Sequence, residues 1–234
     1  MKLVTFEVAT SVGAMTRLGA LLDGQQDGRI VDLTVAYAAY LAADTDEPTP
    51  RKLAALRTPP DLIGWLTGAH KSREAAEQAV TFTKSRLEHE ASPTGLDGAR
   101  LVYARSDIRL LAPLPRPRTI RDFSIYEEHM TQAGGSSDKR PAWYRWPPYY
   151  KGNPDSVIGP EDSVPYPNYT EKLDLEPEIA IVVGREGSNL TIEEAADYIG
   201  GYTIFMDCSC RDGHEREDPA APDGAADPQQ RPRQ

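Results

Sequence analysis

Two regimes of hydrophobic patterning divide the chain. In the first hundred residues, "RLGALLDGQQDGRIVDLT" places apolar runs on either side of the Gly and Asp cluster at Asp23–Gly28, which predicts a hairpin. Helical patterns follow. "VAYAAYLAA" is helical by its alanines, and "PPDLIGWLTG" starts with proline at a plausible first turn. "SREAAEQAVTFTKSRLEHEA" carries Ala75, Ala79, Phe82 and Leu87 near helical spacing, with charges elsewhere. Residues 1–100 are thus expected to form a small N-terminal α/β domain with little chemistry. His70 and His89 lie beside or at the end of the last helix and read as solvated.

From about Leu101 the pattern becomes strand-like. "LVYARSDIRLLAPLPRPRTI" reads as an extended run ending in a proline-rich link, and "RDFSIYEEHM" as a short helix-like piece. The Gly134-Gly135 stretch reads as a hinge of a mobile lid. Beyond it, "SVIGP", "IAIVVG" and "GYTIFMDCS" read as strands, with one helix at "TIEEAADYI" whose Thr191 and Glu194 have the spacing of a capping box. The overall class is α+β, with a mostly β second domain over residues 101–212. The tail, residues 213–234, holds no aliphatic or aromatic side chain larger than alanine. Such a segment cannot offset its ordering entropy by burial and is expected to be disordered.

Charge narrows the partners. The 234 residues carry 36 acidic against 26 basic side chains, a net −10, which argues against a nucleic-acid or anionic-membrane surface. "MKLVTFEVAT" lacks a signal-peptide core, and no apolar run approaches the ~20 residues of a membrane span, so a cytoplasmic protein is expected. The two cysteines, Cys208 and Cys210, stand too close along one strand to bridge without strain and read as free thiols. A C-x-C zinc site would need two further ligands that no other cysteine supplies.

The chemistry concentrates in "LDLEPEIAIVVG", residues 173–184. Side chains alternate across a strand, so Glu176 and Glu178 share one face. Like charges held that close call for a cation between them. A solvated E-x-E face is the common situation, but glutamates just ahead of an apolar "IAIVVG", with no lysine on the same face, point to something more specific. If the strand ending near Asp207 is a neighbour, its carboxylate joins the pair. Ligation by oxygen alone, completed by water, suits Mg²⁺ or Mn²⁺, with Ca²⁺ as a further option.

The run "RDFSIYEEH…YYKGNPDSVIGP…YTEKLDLEPEIAIVVGREGSNLTIEEAADYIGGYTIFMDCSCRD" resembles the fumarylacetoacetate hydrolase family over residues 118–212. The motifs are an aspartate seven before a histidine, a K-G-N-P-like loop, E-x-E on a strand and D-x-S-x-R-D. The resemblance implies a mixed β-roll and a divalent metal held by Glu176, Glu178 and Asp207, with Asp122 added in some members. It implies that His129 helps activate the attacking water, and that Tyr150 and Arg211 contact substrate. Family members act on 2-oxo or 1,3-dicarbonyl acids by C–C hydrolysis, isomerisation or decarboxylation. A small-molecule acid of that class and a homodimeric assembly are therefore expected.

Three departures stand out. Pro177 occupies the position between the glutamates, where it removes a ladder N–H. His214 stands where a glutamine is common, which alters a substrate contact. After Asp212 the resemblance ends, so the β-roll is expected to be incomplete and a sheet edge open. The alternative to an enzyme is a non-catalytic remnant that acts as an oligomerising or binding protein.

Overall fold

A computed structural model describes residues 1–22, 28–128 and 144–213. Its contacts divide the chain into two units, Met1–Glu161 and Asp162–Gln234. Residues 101–161, expected to go with the second half, keep their contacts in the first unit. The Gly134-Gly135 hinge, His129, His214 and the tail beyond Gly213 lie outside the described residues.

The first unit is built on an antiparallel sheet of five strands in the order β4-β3-β2-β1-β5. The long pair β1 (Leu3–Thr10) and β2 (Gly13–Leu21) is in register from Leu3 opposite Ala20 to Thr10 opposite Gly13. β1 is an element that the sequence pattern does not predict. β3 (Ile30–Asp32) pairs with β2, as the hairpin signal predicts, and carries β4 (Val102–Tyr103) on its other side. β5 (Arg109–Leu110) pairs with β1 at the far edge. The run expected as one strand from Leu101 is therefore two short strands separated by a 3₁₀ turn at Arg105–Asp107. The reason is topological: the segment passes from one edge of the sheet to the other, and a single straight strand cannot pair with both.

Four helices of this unit lie wholly within the described residues. α1 (Leu33–Asp44) begins at Asp32, whose Oδ1 accepts a hydrogen bond from the Val35 N–H at 3.1 Å. α2 (Pro50–Arg57) has proline in its first turn and is a helix that the sequence pattern does not predict. α3 (Leu62–Thr67) is capped by Asp61, which accepts from the Gly64 N–H at 2.7 Å, so the prolines precede the cap instead of opening the helix. α4 (Ala69–Leu87) buries Ala75, Ala76, Ala79 and Phe82 on one stripe, as its period predicts. His70 lies in its first turn and His89 just past its end, both exposed.

The helices cover one sheet face, where Leu18, Ala20 and Val31 join Leu33, Ala36, Trp65 and Phe82 in the main core. The other face buries Phe6, Val8, Ile30 and Leu110. Gly19 makes this packing possible, because a Cβ there would stand 2.6 Å from Ile30 Cγ2 and 2.8 Å from Phe6 Cε1. Asp32 is fully buried, with Arg17 Nε at 3.7 Å. Burial pushes its carboxyl above the usual range, against the opposing pull of the Val35 N–H and Arg17.

The last elements of this unit are β6 (Ile120–Phe123) and β7 (Tyr149–Gly152), paired antiparallel. "RDF" is thus strand, not the start of a helix. Its charges resemble a helix surface, but Phe123 packs across the ladder on Tyr149 with ring centroids 5.0 Å apart, and Asp122 stands opposite Tyr150.

The second unit rests on one long antiparallel pair, β8 (Leu173–Val183) and β9 (Ile199–Cys210). Between them α5 (Ile192–Ala196) carries the predicted capping box, with Thr191 and Glu194 each accepting from the other's backbone N–H. In the first unit, the predicted "SVIGP" strand does not form: Pro154–Ser156 make a 3₁₀ turn and residues 157–160 are not strand. Cys208 and Cys210 are both free thiols. No helix among the described residues is long and apolar enough to cross a membrane.

Candidate metal centre

The β8–β9 register decides which carboxylates meet. Glu176 lies directly opposite Asp207, Asp174 opposite Ser209, and Glu178 opposite Phe205. Directly opposed residues share a face, so Asp174, Glu176, Glu178 and Asp207 line one side of the ribbon. Pro177, opposite Met206, does not break the ladder. The register shift falls further along, between Val182 and Val183. A proline fits in an antiparallel pair where its nitrogen points away from the partner strand.

Within this face the acids divide into two groups. A carboxylate oxygen of Glu178 and one of Asp207 come within 4.8 Å of each other, and both residues are half-buried. Asp207 also accepts a hydrogen bond from the Cys208 N–H at 2.9 Å, which fixes one of its oxygens. Glu176 is engaged elsewhere: Arg211 reaches it through Nη2 at 2.8 Å. The same guanidinium binds Asp174 through Nη2 and Nε, each at 2.9 Å. Burial opposes ionisation of Glu176, yet a hydrogen bond from the Ser209 hydroxyl and the Arg211 charge outweigh it, holding the carboxyl below its usual range.

Arg211 is itself anchored. Its N–H donates to the Lys172 carbonyl at 2.9 Å, extending the ladder one residue past Cys210. The neighbouring Asp212 accepts from the Thr170 hydroxyl and from the Glu171 N–H, the latter at 3.2 Å, tying the strand end to the segment before β8. The R-D pair therefore does two jobs: one residue neutralises the acidic stripe and the other clamps its entrance. Asp174 was missed in the sequence reading. The signal was present, because D-x-E-x-E continues the same period of two.

The donor set suits a hard cation. Two half-buried carboxylates within 4.8 Å can close on one ion at the ~2.1–2.4 Å oxygen distances of Mg²⁺, Mn²⁺ or Ca²⁺. They offer no soft ligand, since Cys208 and Cys210 pair opposite Leu175 and Leu173, on the other face. Burial, followed by the Asp207 and Cys210 charges, also pushes the Cys208 thiol upward, which keeps it protonated. Asp122 and Tyr150 sit in the first unit, facing one another across β6 and β7.

Comparison with known proteins fits this site. Residues 118–229 match the Fumarylacetoacetate (FAA) hydrolase C-terminal family. An oxaloacetate tautomerase of Xenopus laevis, described as mitochondrial, is 31% identical over 124 residues, covering 53% of this chain and 37% of its own. The oxaloacetate tautomerase YisK of Bacillus subtilis is 29% identical over 170 residues, covering 71% of this chain and 52% of its own. A solved Mycobacterium smegmatis structure aligns with a TM-score of 0.50 at 21% identity, over 93% of this chain and 59% of that one, a likeness of fold alone. Residues 118–229 are the stretch that this chain shares with the fumarylacetoacetate hydrolase family. The chain spans about half the length of the curated relatives it matches, or less.

Proposed function

We propose that this protein is a divalent-metal-dependent enzyme acting on 2-oxo or 1,3-dicarbonyl acids, with enol–keto tautomerisation as its first-choice reaction over C–C hydrolysis and decarboxylation. The reading is supported by relatives named oxaloacetate tautomerases. The observation that carries it is the half-buried Glu178 and Asp207 pair on adjacent strands, with carboxylate oxygens within 4.8 Å. Mg²⁺ or Mn²⁺ is the favoured ion, Glu178 and Asp207 are its core ligands, and Glu176 and Asp122 are further ligands by the family resemblance. When bound, such an ion supplies Lewis acidity toward a 2-oxo acid group.

The chain's own residues do the rest. Arg211, already directed at carboxylates on this face, is suited to hold the acid group of the substrate. Tautomerisation moves one proton between carbon and oxygen, and the resemblance assigns its relay to His129, with Tyr150 and His214 contacting substrate. The free thiols fit a reducing, cytoplasmic setting.

The test is conversion of enol-oxaloacetate to its keto form, with Mg²⁺ or Mn²⁺ added, by wild type and Glu178→Gln. Metal-stimulated turnover that falls at least tenfold in the variant, together with weakened Mn²⁺ binding, is expected. Mn²⁺ binding and turnover unaffected by the substitution would remove the assignment. The second reading, a non-catalytic oligomerising or binding protein, is favoured by the exposed apolar side of β8–β9. Folded, metal-binding protein without turnover on oxaloacetate or acylpyruvates would favour it.

A further inference from the structure

β9 carries both cysteines of the chain on the face that the acids leave free. Cys208 stands opposite Leu175 and Cys210 opposite Leu173, so the two thiols are neighbours along one strand, on the side away from Glu178 and Asp207. Both are free, Cys208 exposed and Cys210 half-buried. The Tyr169 hydroxyl donates a hydrogen bond to the Cys210 sulfur. A donor aimed at sulfur is strongest when that sulfur carries negative charge.

Spacing decides what this pair can do. A strand rises ~3.3 Å per residue, so β-carbons two residues apart on one face stand ~6.6 Å from each other. A disulfide needs them at ~3.8 Å, which is out of reach while β9 keeps its ladder with β8. A linear sulfur–metal–sulfur unit is longer: two bonds of ~2.3 Å set the sulfurs ~4.6 Å apart. Each sulfur then leans only ~1 Å toward its neighbour, which a cysteine achieves by choice of χ1 without moving the backbone. The ladder therefore excludes the oxidised pair and admits an ion between the two sulfurs.

The same register fixes the ligand count. Along the two strands no third ligand joins the pair: Leu173, Leu175 and Pro177 lie across the ladder on this face. Met206, the next sulfur along β9, is ~10 Å from the midpoint of the pair, beyond bonding reach of its thioether. A four-coordinate zinc site is not completed there, and Mg²⁺ or Ca²⁺ would find none of the carboxylates they prefer. Two thiolates beside leucines suit a soft cation that takes two ligands in a line. We infer that Cys208 and Cys210 form a two-sulfur site for a soft monovalent cation of the Cu(I) and Ag(I) class, separate from the hard-cation site on the opposite face of the ribbon. On binding, each thiol releases its proton to solvent and each sulfur gives one lone pair to the ion, with no electron transferred. The bound unit carries a net negative charge, which the Tyr169 hydroxyl stabilises at Cys210.

Anaerobic titration of the full chain with Cu(I), buffered by the chromophoric chelator bicinchoninate, tests this. One ion per chain is expected, with X-ray absorption showing a first shell of two sulfurs and sedimentation velocity showing no gain of mass on loading. Cys208→Ser and Cys210→Ser are each expected to lose the site, and Tyr169→Phe to weaken it about tenfold. Met206→Leu, and Glu178→Gln on the other face, are expected to leave Cu(I) binding unchanged. Circular dichroism melting verifies that each variant is folded. Folded wild type that fails to take Cu(I) from the chelator would overturn the inference, as would a first shell of nitrogen and oxygen. So would a site that survives in either serine variant, or an ion held between two chains by one cysteine from each.

Discussion

Replacing Arg211 with glutamine is expected to tighten the binding of a divalent cation on the acidic face. In the wild type the guanidinium holds Glu176 at 2.8 Å and Asp174 at 2.9 Å. The Glu176, Arg211 and Asp174 side chains are 26%, 41% and 53% exposed, so water screens these contacts. Each is then worth ~0.2–1 kcal/mol, far below a buried pair. A cation that recruits Glu176 must displace this competitor, and its removal returns about 1 kcal/mol. Carboxylates two residues apart on one strand face lie ~7 Å apart, and their mutual repulsion adds about 0.6 kcal/mol at the dielectric of water. The sum of about 1.5 kcal/mol corresponds to roughly tenfold in Kd. Mn²⁺ titration followed by electron paramagnetic resonance reads it directly. The pH dependence has a definite sign. Glu176 is held below its usual range, so its contact with Arg211 is complete above the ordinary carboxylate pKa and is lost as pH falls through the depressed value. The difference between variant and wild type should shrink on acidification. Unchanged or weaker Mn²⁺ binding in Arg211→Gln at neutral pH would refute the competition, and weaker binding would show that Arg211 aligns the carboxylates instead.

Two further predictions concern the first unit. Asp32 is fully buried and its carboxyl is pushed upward by that burial, so its folded state holds the proton more tightly than the unfolded chain does. Stability should therefore decline as pH rises from the ordinary carboxylate range through the raised value, and Asp32→Asn, which retains a cap for α1, should flatten that slope in urea denaturation at several pH values. Gly19→Ala should destabilise the unit by about 1–3 kcal/mol, because its methyl would meet Ile30 Cγ2 at 2.6 Å; a variant with an unshifted denaturation midpoint would show that Phe6 and Ile30 can yield.

What the sequence revealed depended on how local the cause was. The acidic stripe of β8 follows from a period of two, and the α5 capping box from a spacing of three, so both were legible in one strand or one turn. α2 escaped notice because "PRKLAALR" is short and mostly exposed, with only Ala54 buried, leaving little apolar period to detect. The segment after Leu101 was misread because its break serves two sheet edges that no local pattern announces. "RDF" was misread for a similar reason: its strand character lies in the partner, Tyr149 to Gly152, nearly thirty residues away. In the candidate site, the shared face of Glu176 and Glu178 was readable, but the hold of Arg211 on Glu176 was not. It depends on a register that sets Asp174 opposite Ser209 and carries the ladder past Cys210 to Lys172.

That same register exposes a tension within β8. An antiparallel strand with one wet face alternates apolar and polar, whereas a run apolar at every position is suited to burial on both faces. β8 changes between these patterns along its length. Through Asp174, Glu176 and Glu178 it alternates, but from Ile179 to Val183 every residue is apolar. β9 answers in phase: Tyr202, Ile204 and Met206 fall opposite Ile181, Ile179 and Pro177, so their apolar groups join one patch instead of dividing between faces. The result is a ribbon whose more buried side carries the charges while its more exposed side carries the large hydrocarbons. Solvation alone would favour the opposite arrangement. A sequence with this phase is satisfied on its acidic side where the carboxylates meet a cation, which ties the proposed metal site to the register of β8 and β9.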